Sequence, residues 1–449
     1  MFEVLEKETD AIAAIRILEE AGFDAWMVGG CVRDALLGRK IADVDLASSA
    51  SWEDAKNVFE EAGWKVRETG TQHGTITIVS PDKKAFELTT FRTDGNYGDS
   101  RHPDSVEFVQ SIEEDLARRD FCFNAMAWNP EKSLLDPYDG QADLHAKTIR
   151  TVGNPSERFK EDALRISRAL RFASQLGFEI AAETFLAAEQ NKRRLAKISQ
   201  ERKRDEFCIT LMGDHAVQAL RQYRTLLAPV LPEVVAMFDF EHNSPYHIYD
   251  VWEHTLHALE HASKDLLVRV VLLLHDCGKP AACFREGDIQ HFYGHAEISV
   301  PLCRDALHHL KFPRKFIEEA CKLIELHDMT LLPSKKSVRR AVRAFSGNAE
   351  LFRKFVEVKI CDSLAHGKNL DEQVQPLRDA LALFNQMQAE AEVFSISDLA
   401  INGQDLIDSG VAEGEQIGEL LNKALIVVTE EEIENKKEAL LPYLMQWIR

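Results

Sequence analysis

The sequence predicts an α+β head, a small mixed or antiparallel sheet with helices, followed by a long all-α body. Strand-like runs at 24–28, 43–47, 64–68, 75–79, 85–90 and 106–109 crowd the first third of the chain. After residue 155 helical periodicity takes over, and no convincing strand follows. At 449 residues the chain exceeds one ordinary core, so several domains are expected.

The elements can be justified in order. Residues 11–21 repeat their apolar positions at helical spacing and stop at Gly22. The apolar run 24–28 then leads into Gly29-Gly30, a helix, and a second strand carrying Asp43 and Asp45. Glycines at a helix N-terminus let backbone N–H groups approach a phosphate, and the helix dipole favours the negative charge. Residues i and i+2 of a strand share a face, so Asp43 and Asp45 should point the same way. Two hard oxygen ligands side by side suit Mg²⁺, which takes substrate phosphates as further ligands. Each feature alone also describes an ordinary turn or a solvated strand end. In this order they favour phosphoryl or nucleotidyl transfer. Thr75–Val79 and Ala85–Thr90, with Pro81-Asp82 between them, read as a hairpin. Glu87 lies on its second strand, either as an exposed strand residue or as a third carboxylate beside Asp43 and Asp45.

Arg118-Arg119-Asp120, followed by a buried-looking helix with Asn124, suits a grip on phosphate and sugar hydroxyls. Asp162 and Arg165 sit three apart on an expected helix. They form either an ordinary i,i+3 ion pair or an acceptor and a donor fork that read a base. From Arg150 to Arg224 there are 15 Lys and Arg against 10 Asp and Glu, a local excess of +5 within a chain of net charge −20. That basic stretch, and a second one at Lys335–Arg343, are solvated helix faces or nucleic-acid contacts. The eight cysteines include no Cys-x-x-Cys pair, which argues against a zinc knuckle or a disulfide framework. No apolar run is long enough to span a bilayer, and the first residues lack a signal-peptide pattern. A cytoplasmic location with no membrane partner is expected.

Val28-Gly29-Gly30-Cys-Val-Arg33-Asp34, Asp43-Val-Asp45, His73-Gly74-Thr75, Thr89-Thr90-Phe91-Arg92 and Arg118-Arg119-Asp120-Phe121 stand in one order. They continue through Asp136–Gly140, Glu161-Asp162-Ala-Leu-Arg165, Arg168-Ala-Leu-Arg171-Phe172 and Ser199–Arg202. In this the chain resembles the CCA-adding tRNA nucleotidyltransferases of the class II group, which includes bacterial poly(A) polymerases. A weaker echo runs from Ile401 to Glu438. The resemblance implies a nucleotidyltransferase head (1–150), a helical neck with the base-selecting motif (151–225), a helical body (226–390) and a helical tail (391–449). It implies that Asp43 and Asp45 hold two Mg²⁺ ions and that Gly29, Gly30 and Arg33 cradle phosphates. Arg119 and Asp120, with Asn124, would meet the ribose, while Asp162 and Arg165 select the base and Arg168 and Arg171 line the nucleotide site. Cys122 departs from the usual Thr at no cost to this chemistry. CTP, ATP and the tRNA 3′ end, held through the acceptor and elbow region, are the implied partners. The segment Thr93–Pro103 resembles the flexible loop kept by complete CCA-adding enzymes.

The body carries His254-Thr255, His275-Asp276-Cys-Gly278-Lys279, Gly294-His295, His327-Asp328 and Asp362 with His366, preceded by Tyr246-His247. Imidazoles and carboxylates on successive helices are the ligand set of a transition-metal site, and the pattern resembles HD-type phosphohydrolase domains. That resemblance implies His254, His275, Asp276 and Asp362 as metal ligands. His295 and His327 would serve phosphate or a second metal, and Lys279 the scissile phosphate. Hydrolysis of tRNA 3′ phosphates, cyclic ones included, would be its task. Two alternatives stay open: an A-adding or poly(A)-type enzyme with the same head, and an HD phosphohydrolase whose head only binds RNA.

Overall fold

The computed structural model describes residues 2–94, 106–243, 248–287, 289–366, 370–390, 392–411 and 414–447. Residues 95–103 of the expected loop, and Tyr246-His247, fall outside them. The chain divides into two compact units, Met1–Val230 and Leu231–Arg449. Among the described residues no helix is long and apolar enough to cross a membrane.

The first unit is built on a seven-stranded sheet. Its strands are β1 (Ala25–Val28), β2 (Asp45–Ser48), β3 (Lys65–Gly70), β4 (Thr75–Val79), β5 (Ala85–Thr90), β8 (Ala127–Asn129) and β9 (Ser133–Leu135), in the order β3-β4-β5-β2-β1-β8-β9. β6 (Arg92–Asp94) and β7 (Val106–Phe108) form a separate antiparallel pair. β1 is buried at all four positions, as a central apolar strand should be. It runs antiparallel to β2, with Val28 opposite Asp45. β2 in turn runs parallel to β5, with Asp45 opposite Glu87. The core beneath gathers Trp26, Val28, Ala47, Phe91, Leu116 and Val152.

Several expectations need correction. β2 begins at Asp45, so Asp43 precedes the strand rather than lying on it. The exposed–buried–exposed alternation of Asp43, Val44 and Asp45 still turns both carboxylates to one side. The expected helix after Asp120 is a single 3-10 turn, Cys122–Asn124, leading into β8. β8 and β9 are too short for a periodic signal. The supposed helix through Asp162 and Arg165 is two helices, α1 (Pro155–Glu161) and α2 (Leu164–Leu176). Asp162 sits between them in an extended conformation, φ −129° and ψ 106°. Its Oδ1 accepts from Leu164 N at 2.9 Å, a local bond that competes with helix continuation. Nor is the chain strand-free after residue 155. β10 (Thr148–Ile149) pairs with β11 (Glu179–Ile180), and β12 (Phe284–Glu286) forms a hairpin with β13 (Ile289–His291).

Among its described residues the second unit has no strand apart from that hairpin and is otherwise built of helices and their connections. α3 (Val251–Glu260) starts at Asp250, whose carboxylate caps Glu253 N at 2.7 Å. α4 (Leu266–Leu274) is apolar almost all round and buried at every position but its first. Its one charge, Arg269, is satisfied by the Ser263 and Ala262 carbonyls. α5 (His295–His309), α6 (Arg314–Leu326) and α7 (Ala349–Leu364) complete the bundle, and a separate apolar cluster around Leu406, Ala424 and Leu440 closes the C-terminal helices.

Candidate active sites

The first site lies at the carboxyl end of β1. Gly29 has φ +73° and caps the helix Gly30–Leu36. A Cβ there would come within 2.7 Å of Arg119 Nη1, so the turn and the guanidinium are in close approach. Arg33 binds both Asp34 oxygens and donates to Asn124 Oδ1 at 2.8 Å. Asn124 Nδ2 donates to Asp120 Oδ1 at 3.1 Å, and Arg168 Nε donates to Asp120 Oδ2 at 2.6 Å. Arg119 is itself anchored on Asp115 at 3.1 Å. These side chains line a cleft of about 810 Å³ with Gly29, Gly30, Asp45, Asp162, Arg165 and Arg171, room for a nucleotide.

The electrostatics of the cleft are split. Partial burial, then the Glu87 charge, push the Asp45 carboxyl up, with Asp43 adding to the effect and Arg119 opposing it. Clustered carboxylates that disfavour their own ionisation are a donor set suited to hard divalent cations. Asp120 shows the reverse. Burial alone would raise it, but Arg168 and its hydrogen bonds outweigh burial and hold its carboxyl at about 2. Arg171 is lowered to about 10 by burial and then by Arg168 beside it.

Asp162 and Arg165 do not pair with each other. Arg165 Nη1 donates to Glu161 Oε2 at 2.6 Å and to the Arg158 carbonyl, and Nη2 donates to the Arg118 carbonyl at 2.8 Å. Asp162 Oδ2 accepts from Arg202 at 3.1 Å. The helix break separates two side chains that an unbroken helix would have joined, and both still border the cleft. Glu206, which sequence reasoning overlooked, accepts from Arg171 at 3.1 Å and lies 3.7 Å from Arg168. Its only signal was a position four residues beyond Arg202.

The second site is enclosed by the body helices. One ligand atom each from His254, His275, Asp276 and Asp362 lie within 4.8 Å of one another, and the same holds for Asp276, His295 and His327. α4 delivers His275 and Asp276 at its C-terminus, α3 carries His254, and α7 carries Asp362. α5 begins at His295, and α6 ends against His327. His254 Nε2 is 2.8 Å from Asp362 Oδ1, and His275 Nε2 is 3.2 Å from Asp276 Oδ2.

The tautomers decide what this cluster can hold. Nδ1 of His275, His295 and His327 each donates to the carbonyl three residues back, at 2.8, 3.0 and 2.6 Å. When neutral, each ring turns a lone pair on Nε2 inward. His295 Nε2 and His327 Nε2 are 3.0 Å apart, so two lone pairs would face each other unless a cation or proton lies between them. His275 Nε2 and both Asp276 oxygens are buried without a hydrogen bond of good geometry among the described residues. Burial opposes charge on His275, yet Asp276 and Asp362 push its imidazole up to about 10. Burial and His275 hold His327 down to about 4. The donor set fits metal ions. Lys279 Nζ lies 2.7 Å from Asp276 Oδ2 and 3.2 Å from Nε2 of His242, a second residue that sequence reasoning overlooked.

Gly278 shows why the motif needs a glycine. A Cβ there would meet the His295 carbonyl at 2.5 Å and Ser299 N at 2.7 Å, because α5 packs directly on the turn.

Residues 25–150 match the family described as Poly A polymerase head domain. Residues 177–238 match the RNA and SrmB binding site of polymerase A, and 295–444 match tRNA nucleotidyltransferase domain 2. A CCA-adding enzyme of Geobacillus thermodenitrificans is 34% identical over 438 residues, 97% of this chain and 96% of that one. The chain belongs to the CCA-adding enzyme family. The CCA-adding enzyme of Pediococcus pentosaceus is 48% identical over 216 residues, spanning about half of each chain (48% of this one, 53% of that one). Among solved structures, the Bacillus stearothermophilus CCA-adding enzyme in complex with CTP superposes with a TM-score of 0.68 at 32% identity, covering 98% of this chain and 97% of that one. A Thermotoga maritima CCA-adding enzyme complexed with tRNA shares the fold at 19% identity and a TM-score of 0.59, covering 98% of this chain and 95% of that one. The α+β head and helical remainder are thus the class II architecture.

Proposed function

We propose that this protein adds CCA to tRNA 3′ ends from CTP and ATP. The supporting observation is the convergence of Asp43, Asp45 and Glu87 on a Gly29-Gly30 helix N-terminus facing an arginine-lined cleft, in a chain that aligns with CCA-adding enzymes along nearly its full length. Residues 1–150, 151–225, 226–390 and 391–449 would act as head, neck, body and tail. Asp43 and Asp45, with Glu87 beside them, would hold divalent ions of the Mg²⁺ type, which lower the charge on the triphosphate and on the attacking 3′-oxygen.

The chain's own groups do the rest. Gly29, its own N–H held by the Met126 carbonyl at 3.1 Å, supplies the turn that presents Gly30 N–H to the phosphates, with Arg33 and Arg119 as charged donors beside it. Asp120 and Asn124, tied together and to Arg168, orient the ribose. C and A each present an amino donor beside a ring-nitrogen acceptor, which a carboxylate and a guanidinium complement. G and U present an N–H donor beside a carbonyl and leave like groups opposed, an unpaired polar contact that strongly disfavours them. Arg165 is fixed by three acceptors before any base arrives, so little ordering cost remains.

Extension of tRNA transcripts ending before CCA, after C and after CC tests this reading, with CTP and ATP singly and together. A single CCA end on the shortest transcript supports it, with activity lost in Asp45→Asn. Growth only from the CC end, or a long A tail, replaces it with an A-adding or poly(A)-type enzyme.

For the body we propose a metal-dependent phosphohydrolase that opens cyclic phosphates at tRNA 3′ ends. His254, His275, Asp276 and Asp362 would hold one transition-metal ion, and His295 and His327 with Asp276 a second ion or the phosphate. A bound metal supplies an activated water and neutralises phosphate charge. In the reaction the water oxygen bonds to phosphorus, the P–O3′ bond breaks, and the released 3′-oxygen takes a proton, leaving a 2′-phosphate beside a free 3′-hydroxyl. Lys279, held by Asp276 at the cavity wall, would meet the phosphate oxygens. Release of a monoester from a cyclic-phosphate-ended oligonucleotide, absent in Asp276→Ala, is the expected result; no turnover with any divalent metal rejects it.

A further inference from the structure

The β12–β13 hairpin opens straight onto the histidine cluster. Only Phe292, Tyr293 and Gly294 separate the end of β13 from His295, the first residue of α5. Gly294, at φ +72°, makes the turn. Phe292 turns inward, edge-on to His242 with ring centroids 5.6 Å apart, and Lys279 Nζ lies 5.8 Å from its centroid. Tyr293 turns outward. It is 80% exposed, the most exposed large apolar side chain among the described residues. It is nevertheless held flat, stacked on His291 at 5.2 Å with the planes 7° apart. Both aromatics line the same cavity of about 350 Å³ as Asp276, Lys279, His295 and His327. A large exposed ring, fixed by a second ring and placed at the mouth of a cavity lined by His and Asp side chains, offers a planar face that no other described ring covers.

We propose that Tyr293, backed by His291, is the platform on which a nucleobase stacks while the phosphate of the same nucleotide sits at the histidine–aspartate cluster. This rests on the phosphohydrolase reading of that cluster and specifies its substrate class: nucleoside phosphates or RNA ends, in preference to phosphoesters that lack a base. Tyr293 acts in specificity and takes no part in bond cleavage. Stacking on an aromatic side chain tolerates any base, so the platform selects for the presence of a base rather than its identity. That suits RNA ends of varied sequence.

The test uses the full-length protein loaded with a divalent transition metal. Substrates are adenosine 2′,3′-cyclic phosphate and its base-free counterpart, methyl ribofuranoside 2′,3′-cyclic phosphate, with turnover followed by ³¹P NMR. Tyr293→Ala should raise KM for the adenosine substrate about tenfold. It should leave kcat, and hydrolysis of the base-free substrate, unchanged, and Tyr293→Phe should restore the wild-type KM. An equal effect on both substrates, or none, overturns the platform. Wild-type protein that hydrolyses neither substrate overturns the phosphohydrolase reading instead. Photolabelling of the metal-free protein with 8-azidoadenosine 2′,3′-cyclic phosphate then judges the platform alone. Label on the peptide containing Tyr293, lost in Tyr293→Ala, supports it, and label confined to the peptides around Gly29 and Arg119 rejects it.

Discussion

At the residue scale, the partner of Arg165 is the informative detail. Its guanidinium belongs to Glu161 and two backbone carbonyls, which leaves Asp162 to face the cleft beside it. Glu161→Gln replaces a charged acceptor at 2.6 Å with a neutral one, so Arg165 should loosen. The expected outcome is a loss of base discrimination of about tenfold, read as GMP or UMP misincorporation against CMP, with a smaller loss of CMP addition itself. Asp120 carries a pH prediction. Its folded value of about 2 lies below the ordinary aspartate value of 3.8 because Arg168 and Asn124 outweigh burial. A depressed carboxylate contributes stability that is present above pH 4 and lost as pH falls from about 4 through 2. The contribution is about 2 kcal/mol at neutral pH. Urea denaturation at pH 6 and pH 3 should show about half of that component lost at the lower pH, and Asp120→Asn should flatten the difference.

At the element scale, two short backbone features decide chemistry. The break between α1 and α2 moves Asp162 out of helical register. The turn at Gly278 lets α5 rest on the C-terminal end of α4, which is how His295 reaches Asp276 at 3.2 Å. Gly278→Ala introduces a Cβ against backbone atoms that cannot rotate away. The expected cost is about 1–3 kcal/mol, seen as a lower melting temperature of the second unit. The same variant should bind divalent metal more weakly, measured by calorimetric titration, because His295 and Asp276 are forced apart. Unchanged metal affinity would mean that the two ligands do not act on one ion. The helix caps by Asp250 and Asp265 are of the ordinary kind, and they fix where α3 and α4 begin.

At the scale of the whole molecule, two sites of different donor chemistry occupy two compact units of one chain. The head presents carboxylates and glycine amides, the body imidazoles and buried carboxylates. If the body repairs ends that the head extends, Asp276→Ala should spare CCA addition to transcripts with a free 3′-hydroxyl. It should abolish addition to transcripts that end in a 2′,3′-cyclic phosphate. Gel analysis of both transcripts with one preparation checks this, and equal extension of both by the variant would show that the sites work independently.

Much of this was legible in order and residue type alone. The α+β head, the helical remainder, the Gly29-Gly30 turn before a helix, the hairpin that carries Glu87 and the His-Asp ladder are local signals, set by backbone conformational preference and side-chain periodicity. What only the tertiary structure decided depends on contacts between residues far apart in sequence. The pairing of Asp45 with Glu87 arises from a parallel strand register. The hold of Glu206 on Arg171 joins residues 35 apart. Asp276 is shared between two ligand groups because four helices and a glycine turn converge on it. The break at Asp162 lay beyond periodicity, since residues 155–176 carry helical spacing on both sides of it and only a side-chain-to-backbone bond interrupts them. Sequence determines which chemistry is available and roughly where, because those preferences are local. Packing determines which groups meet, because that depends on how the elements come together in space.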